Sequence, residues 1–120
     1  MYKMSQLKRK FPFSIRQNES FRIRIKYPDR IPVICEKANH NDRSIPEIDK
    51  NKYLVPTDLT LGQFAYVIRR RMRIPPERSI FLFVNERLQG CSEYISSLYD
   101  AYKDPDGFLY ITYKGENVFG

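Results

Sequence analysis

The stretch that most constrains this chain is Thr60-Leu61-Gly62-Gln63. A hydroxyl followed three residues later by Gln has capping-box spacing, in which each side chain satisfies the other residue's backbone N–H at a helix start. Behind it, Leu61, Phe64, Ala65, Ile68 and Met72 fall on one helical face. Arg69, Arg70, Arg71 and Arg73 crowd the last turn, where the helix dipole favours cations. Pro75-Pro76 then stops the helix. One amphipathic helix is thus hemmed in at both ends, and the runs on either side of it read as strands.

Ile31 to Lys37 alternates, with Ile31, Val33 and Cys35 on one side and Pro32, Ile34 and Glu36 on the other. A polar loop, Asn39 to Ser44, leads towards Lys52-Tyr53-Leu54-Val55-Pro56, which pairs back as a hairpin with a long connection. Beyond the helix, Ser79 to Val84 is a strand and Asn85-Glu86-Arg87 turns the chain. Ser92 caps a short helix with Ile95, Leu98, Tyr99 and Tyr102 on one face. Asp104-Pro105-Asp106-Gly107 is a strong turn signal before the last strand, Phe108 to Tyr113. At the N-terminus, Met1 to Lys10 suits a short helix anchored by Leu7 and Phe11. Ser14 to Tyr27 stays ambiguous: Phe21, Ile23, Ile25 and Tyr27 alternate like a strand, yet the whole stretch also suits a helix. The order is strand, strand, helix, strand, short helix, strand. By analogy, that order suits an α+β, ubiquitin-like β-grasp.

The Lys52 to Pro56 run has a further property. Lys52 and Leu54 point one way, Tyr53 and Val55 the other. Proline has no ladder donor, so Pro56 ends the strand or places it at a sheet edge. An edge with apolar residues on both faces can accept an extended peptide as one more strand.

Length and composition exclude several classes. At 120 residues the chain is one domain. Its net charge of +7 and its nine Tyr and eight Phe describe a globular protein, not a disordered one. No apolar run approaches the roughly 20 residues of a membrane span, and no secretory signal is visible. Cys35 and Cys91 stand apart, with no metal-ligand spacing, which suits a reduced compartment. A single His and no nucleophile constellation argue against an enzyme, and no cofactor or metal motif is present. Lys8-Arg9-Lys10 and Arg69 to Arg73 could touch acidic lipid or nucleic acid, or be solvated surface. No motif of a known nucleic-acid module supports that partner. His40 lies in a polar loop with no partner motif.

Several stretches together resemble one family. They are Tyr27-Pro28-Asp29-Arg30-Ile31-Pro32-Val33-Ile34-Cys35-Glu36-Lys37-Ala38, Ile45-Pro46-Glu47-Ile48-Asp49-Lys50 and Lys52-Tyr53-Leu54-Val55-Pro56. They continue as Asp58-Leu59-Thr60, Gly62-Gln63-Phe64, Phe83-Val84-Asn85, Asp106-Gly107-Phe108-Leu109-Tyr110 and Phe119-Gly120. In register over nearly the whole length, they resemble the autophagy ubiquitin-like modifiers: the GABARAP, light-chain and yeast autophagy modifier group. The resemblance implies a helical extension over 1–27, including the ambiguous stretch. It also implies a ubiquitin-like core over 28–114 with a four-stranded mixed sheet, and a flexible conjugation tail over 115–120. Two loops depart from the family. Asn39 to Ser44 is slightly longer than in yeast-type members, and Gln89-Gly90-Cys91 replaces a Pro-Pro turn.

The resemblance also implies two sites. An aromatic-accepting pocket would use Glu19, Ile23, Pro32, Ile34, Lys52, Leu54 and Phe108. An aliphatic pocket would use Tyr53, Val55, Pro56, Leu59, Phe64 and Val67, with Arg30 and Lys50 meeting acidic flanks. From the residues alone, Ile34, Leu59, Phe64 and Val67 read first as core, and Lys52 reads also as a solvated edge lysine. The expected ligand is an aromatic residue, two of any kind, then an aliphatic one. The second site is Gly120, whose carboxylate the family joins to phosphatidylethanolamine through activating and conjugating enzymes, after a cysteine protease exposes it. Expected partners are those enzymes, autophagy receptors and core autophagy proteins. The expected location is cytoplasmic, and autophagosomal or vacuolar membrane once lipidated. The alternative is a ubiquitin-like adaptor that uses the groove without conjugation. Phe81-Leu82-Phe83 reads as sheet core or as a second docking surface.

Overall fold

The structure is a computed structural model, and it describes residues 5–115. Its elements are α1 (Gln6–Lys10), α2 (Phe13–Lys26), β1 (Arg30–Lys37), β2 (Lys52–Pro56) and α3 (Leu61–Met72). They are followed by β3 (Phe81–Val84), β4 (Arg87–Leu88), α4 (Ile95–Tyr102) and β5 (Leu109–Lys114). The sheet order is β2-β1-β5-β3-β4. β1 and β5 run parallel at the centre, and the other pairs are antiparallel. The α+β class and the mixed sheet match the expectation, but the sheet has five strands rather than four. Asn85 and Glu86 both take positive φ (54° and 63°), so the chain reverses within two residues. Arg87 therefore pairs directly with Val84 and starts a two-residue fifth strand instead of completing the turn.

The main core lies between the sheet and α3. Leu61, Phe64, Ile68 and Met72 are buried there with Ile31, Val33 and Cys35 of β1 and Leu82 and Val84 of β3. The capping box forms: Thr60 Oγ1 accepts from the Gln63 N–H, and Gln63 Oε1 accepts from the Thr60 N–H at 2.9 Å. The helix stops earlier than the prolines. Arg73 adopts the left-handed conformation (φ 58°) because Ile74, preceding Pro75, is barred from helical geometry. Ser92 does not cap α4. That role falls to Tyr94, without a side-chain bond, and the Ile95 N–H is instead satisfied by the Leu59 carbonyl at 2.9 Å.

α2 covers the opposite face, so the ambiguous stretch is helical. Its strand-like alternation marks no buried face: Phe21 and Ile25 are 65% and 66% exposed, while the side chains turned inward are Arg16 and Ser20. β1, sandwiched between two helical layers, is buried on both faces. At the far end, packing continues past residue 114. Gly115 is buried, and a Cβ there would meet Ile45 Cβ and Ser44 Oγ at 3.4 Å. Residue 115 is thus packed against the loop at Ser44 and Ile45, and the rest of the expected tail, 116–120 with Gly120, lies outside the described residues.

Candidate functional site

β2 is an edge strand. Its pairing with β1 decides which backbone groups are open. The Cys35 N–H donates to the Asn51 carbonyl at 2.8 Å, in register with Val33 opposite Tyr53 and Ile31 opposite Val55. In an antiparallel pair such residues turn their N–H and C=O towards the partner, and the residues between turn theirs away. Lys52 and Leu54 therefore present their backbone groups to the outside. Arg30 Nη1 already donates to the Leu54 carbonyl at 3.2 Å from this side. Pro56 occupies the next outward position, where its missing N–H removes no ladder bond.

Side-chain alternation gives the edge two different flanks. Tyr53 and Val55 are buried, with the Tyr53 ring edge-on to Phe64 at 5.4 Å. Burial pushes the Tyr53 phenol up to about 12, with nearby Cys35 adding to it. Phe64 is also core, so on this flank the sequence-predicted set splits. Tyr53, Val55 and Phe64 form a floor, Pro56 and Leu59 are half-buried, and Val67 is 39% exposed. On the other flank Leu54 is 38% exposed and Lys52 is half-exposed beside α2. Lys52 Nζ pairs with Glu19 Oε1 at 2.7 Å, bridging strand and helix. Ile23 is half-buried one turn further along α2. Pro32, Ile34 and Phe108 are buried, and so underlie this flank rather than line it. Arg30 and Lys50 are both exposed, with Lys50 Nζ 5.3 Å from the centre of the Tyr53 ring.

Two supporting features escape a sequence reading. The first is a cleft of about 340 Å³ continuing the Lys52 flank, walled by Leu7, Lys10 and Phe11 as well as by Lys50 to Lys52. α1 is held there by the Leu7 N–H donating to Glu36 Oε2 at 3.2 Å and by a Lys8–Asp104 ion pair. The i, i+4 spacing of Leu7 and Phe11 is its only sequence signal. The second is Asp106, fully buried beneath α2. It accepts from Arg16 Nε at 2.8 Å, the Tyr110 hydroxyl at 2.5 Å and the Phe108 N–H at 2.9 Å. Its carbonyl accepts from the Ser20 hydroxyl. Burial, and then the Asp106 bond, push the Tyr110 phenol well above its usual range. Burial lowers the Arg16 pKa, but the Asp106 bond and the nearby charges of Tyr110, Asp106 and Asp104 together outweigh it, and the net shift is upward.

Elsewhere, Cys35 is a buried free thiol pushed upward by burial, and Cys91 is free and exposed. His40 Nδ1 lies 2.7 Å from Glu47 Oε1. Leu82 is core, whereas Phe81 and Phe83 are half-buried. Among the described residues no cluster of three metal-ligating side chains occurs, and no helix is long and apolar enough to cross a membrane.

The fold, a ubiquitin-like sheet with added N-terminal helices, is shared with known proteins. The model of the family described as autophagy protein Atg8, ubiquitin-like, matches residues 15–120. The chain belongs to the Atg8 family. It is 58% identical over 116 residues to autophagy-related protein 8 of Vanderwaltozyma polyspora and 57% identical to that of Saccharomyces cerevisiae. Each alignment covers 97% of both chains. Among solved structures, Trypanosoma brucei ATG8 superposes with a TM-score of 0.90 at 42% identity, covering 98% of this chain and all of that one. Plasmodium falciparum Atg8, solved in complex with a P. falciparum Atg3 peptide, superposes with a TM-score of 0.83 at 37% identity, covering 92% and 96%. As an Atg8-family member the chain is an autophagy ubiquitin-like modifier, not an enzyme.

Proposed function

We propose that this Atg8-family protein is conjugated through Gly120 to phosphatidylethanolamine and recruits partners at the β2 edge during autophagosome formation. The observation that carries the recruitment half is the outward row of Lys52 and Leu54 backbone groups between two unlike flanks. An extended peptide added there makes ladder bonds, and its alternate side chains reach opposite flanks. An aromatic residue would enter between α2 and β2, and an aliphatic one between β2 and α3, over the Tyr53, Val55 and Phe64 floor. Acidic flanking residues suit Arg30, Lys50 and Lys52, in competition with Glu19 for the last. The peptide in the Plasmodium relative supports a peptide as the ligand class, and the conjugating enzyme as one partner. Receptors, the activating enzyme and the processing protease complete the set.

Two buried anchors at about 1.5–3 kcal/mol each, a few backbone bonds and the cost of ordering the peptide place affinity near micromolar, about −8 kcal/mol. Such contacts work by avidity on a crowded membrane. Conjugation supplies the firm attachment, because stable anchoring takes two acyl chains and each buried CH₂ contributes about 0.8 kcal/mol. The protein would then divide between cytoplasm and the autophagosomal or vacuolar membrane.

The test is reconstitution with the activating and conjugating enzymes and phosphatidylethanolamine liposomes. Wild type should shift to a lipidated band, and Gly120→Ala should not. Lipidation of Gly120→Ala at the wild-type rate would defeat the conjugation half. If wild type fails to lipidate yet binds aromatic-x-x-aliphatic peptides, a non-conjugated adaptor is the better reading.

A further inference from the structure

α2 is amphipathic in the wrong sense for a helix that only covers a sheet. Its buried side chains are Arg16 and Ser20, while Ile15, Phe21 and Ile25 are half or more exposed. Phe21 and Ile25 sit one turn apart, side by side. Ile15, Arg22 and Lys26, at i, i+7 and i+11, form the neighbouring row. The helix cannot roll to hide this face. Arg16 and Ser20 are both held by the fully buried Asp106, and rolling would strand that carboxylate without its cation. The apolar face is therefore locked outward.

Charge decides what fits it. Residues 5–26 hold seven basic side chains against Glu19 alone, and five of the seven remain once Lys8 and Arg16 are set against Asp104 and Asp106. Glu19 is paired with Lys52, and among the described residues Arg22 and Lys26 have no ion-pair partner. A second copy docking on the same face would set these cations against their own kind. Phe21 borders a cleft of about 220 Å³ with Arg24, Tyr99 and Pro105, but Ile15, Arg22, Ile25 and Lys26 lie outside it along the exposed crest of the helix, where an extended peptide would find no groove. A flat surface, apolar below and anionic above, suits it. We propose that the outward face of α2 docks on an anionic lipid bilayer, with Phe21 and Ile25 entering the acyl boundary. Arg22 and Lys26 then extend to the headgroup phosphates. This contact goes beyond conjugation at Gly120 and does not need it.

Its test therefore uses the full, unconjugated chain, so that its failure and failure of lipidation are separate results. The protein is sedimented with phosphatidylcholine vesicles, with and without phosphatidylserine. Binding is expected only with phosphatidylserine, and it should weaken as salt is raised. The double variant Phe21→Ser, Ile25→Ser should lower partitioning about tenfold. Arg22→Glu with Lys26→Glu should lower it similarly and flatten the salt dependence. Because these side chains are exposed, thermal unfolding should be unchanged in both variants. Three results would overturn the proposal. One is no sedimentation with phosphatidylserine vesicles at low salt. Another is wild-type partitioning of the Phe21, Ile25 variant, which would leave charge alone at work. The third is a solution dimer abolished by that variant, which would make a second copy the occupant.

Discussion

Gly107 shows how much a single position can determine. Its φ is +90°, and a Cβ there would strike the Ser20 hydroxyl and lie 3.0 Å from Ser20 Cβ. Both the turn geometry and the approach of α2 therefore require glycine. Gly107→Ala is expected to destabilise the fold by about 2 kcal/mol. The loss should be uneven, because the Ser20 bond to the Asp106 carbonyl is the one displaced. In hydrogen exchange, α2 amides should lose protection before those of α3. Uniform loss across both helices, or none, would contradict this account. In the sequence, Asp104 to Gly107 announces the turn. That Asp106 also anchors a helix 90 residues earlier has no local signal. Arg16 reads as one more surface cation until the fold brings its partner beneath it.

At the scale of elements, β2 and α2 were unequally legible for the same reason. β2 shows its role because apolar and polar neighbours alternate and Pro56 closes the run. α2 hides its role because its inner face is polar and its outer face apolar, which blurs helical periodicity and leaves a strand-like pattern. Only the family resemblance resolved it. The β2 alternation also separates stability from binding. Val55 is buried, so Val55→Ala should cost about 1–3 kcal/mol in urea denaturation. Leu54 is 38% exposed on the open flank, so Leu54→Ala should cost about 0.5 kcal/mol or less. It should nevertheless weaken an aromatic-x-x-aliphatic peptide about tenfold in calorimetric titration. Equal binding by Leu54→Ala and wild type would remove β2 as the docking edge. The aromatic and aliphatic sets are thus legible as a neighbourhood. Which members are floor and which are surface depends on two covering helices that no single stretch reveals.

For the whole molecule, strand order is the least legible feature, since β5 inserts beside β1 from the other end of the chain. Among the described residues, four phenols are buried or half-buried. Tyr53, Tyr99, Tyr110 and Tyr113 all have raised pKa values, with burial the first cause in each. A raised value means the folded state holds its protons more tightly than the unfolded chain. Each phenol's contribution to stability is therefore complete below the unfolded value, near 10, and is lost as pH rises through the folded one. For Tyr53 the window runs from 10.0 to about 12, a loss on the order of 2–3 kcal/mol. The other three raised phenols add to that loss, against the about 5–15 kcal/mol that holds a domain folded. The fold should therefore open cooperatively in alkali before these phenols ionise in place. Late tyrosinate absorbance and far-UV circular dichroism should change together above pH 10. Tyr53→Phe keeps the ring against Phe64 and removes one ionisable group, at the expense of the hydroxyl's bond to the Lys50 carbonyl at 2.7 Å. Its midpoint should move to higher pH even if its stability at neutral pH falls slightly. Complete tyrosinate formation with native dichroism intact would mean that these phenols reach solvent without unfolding.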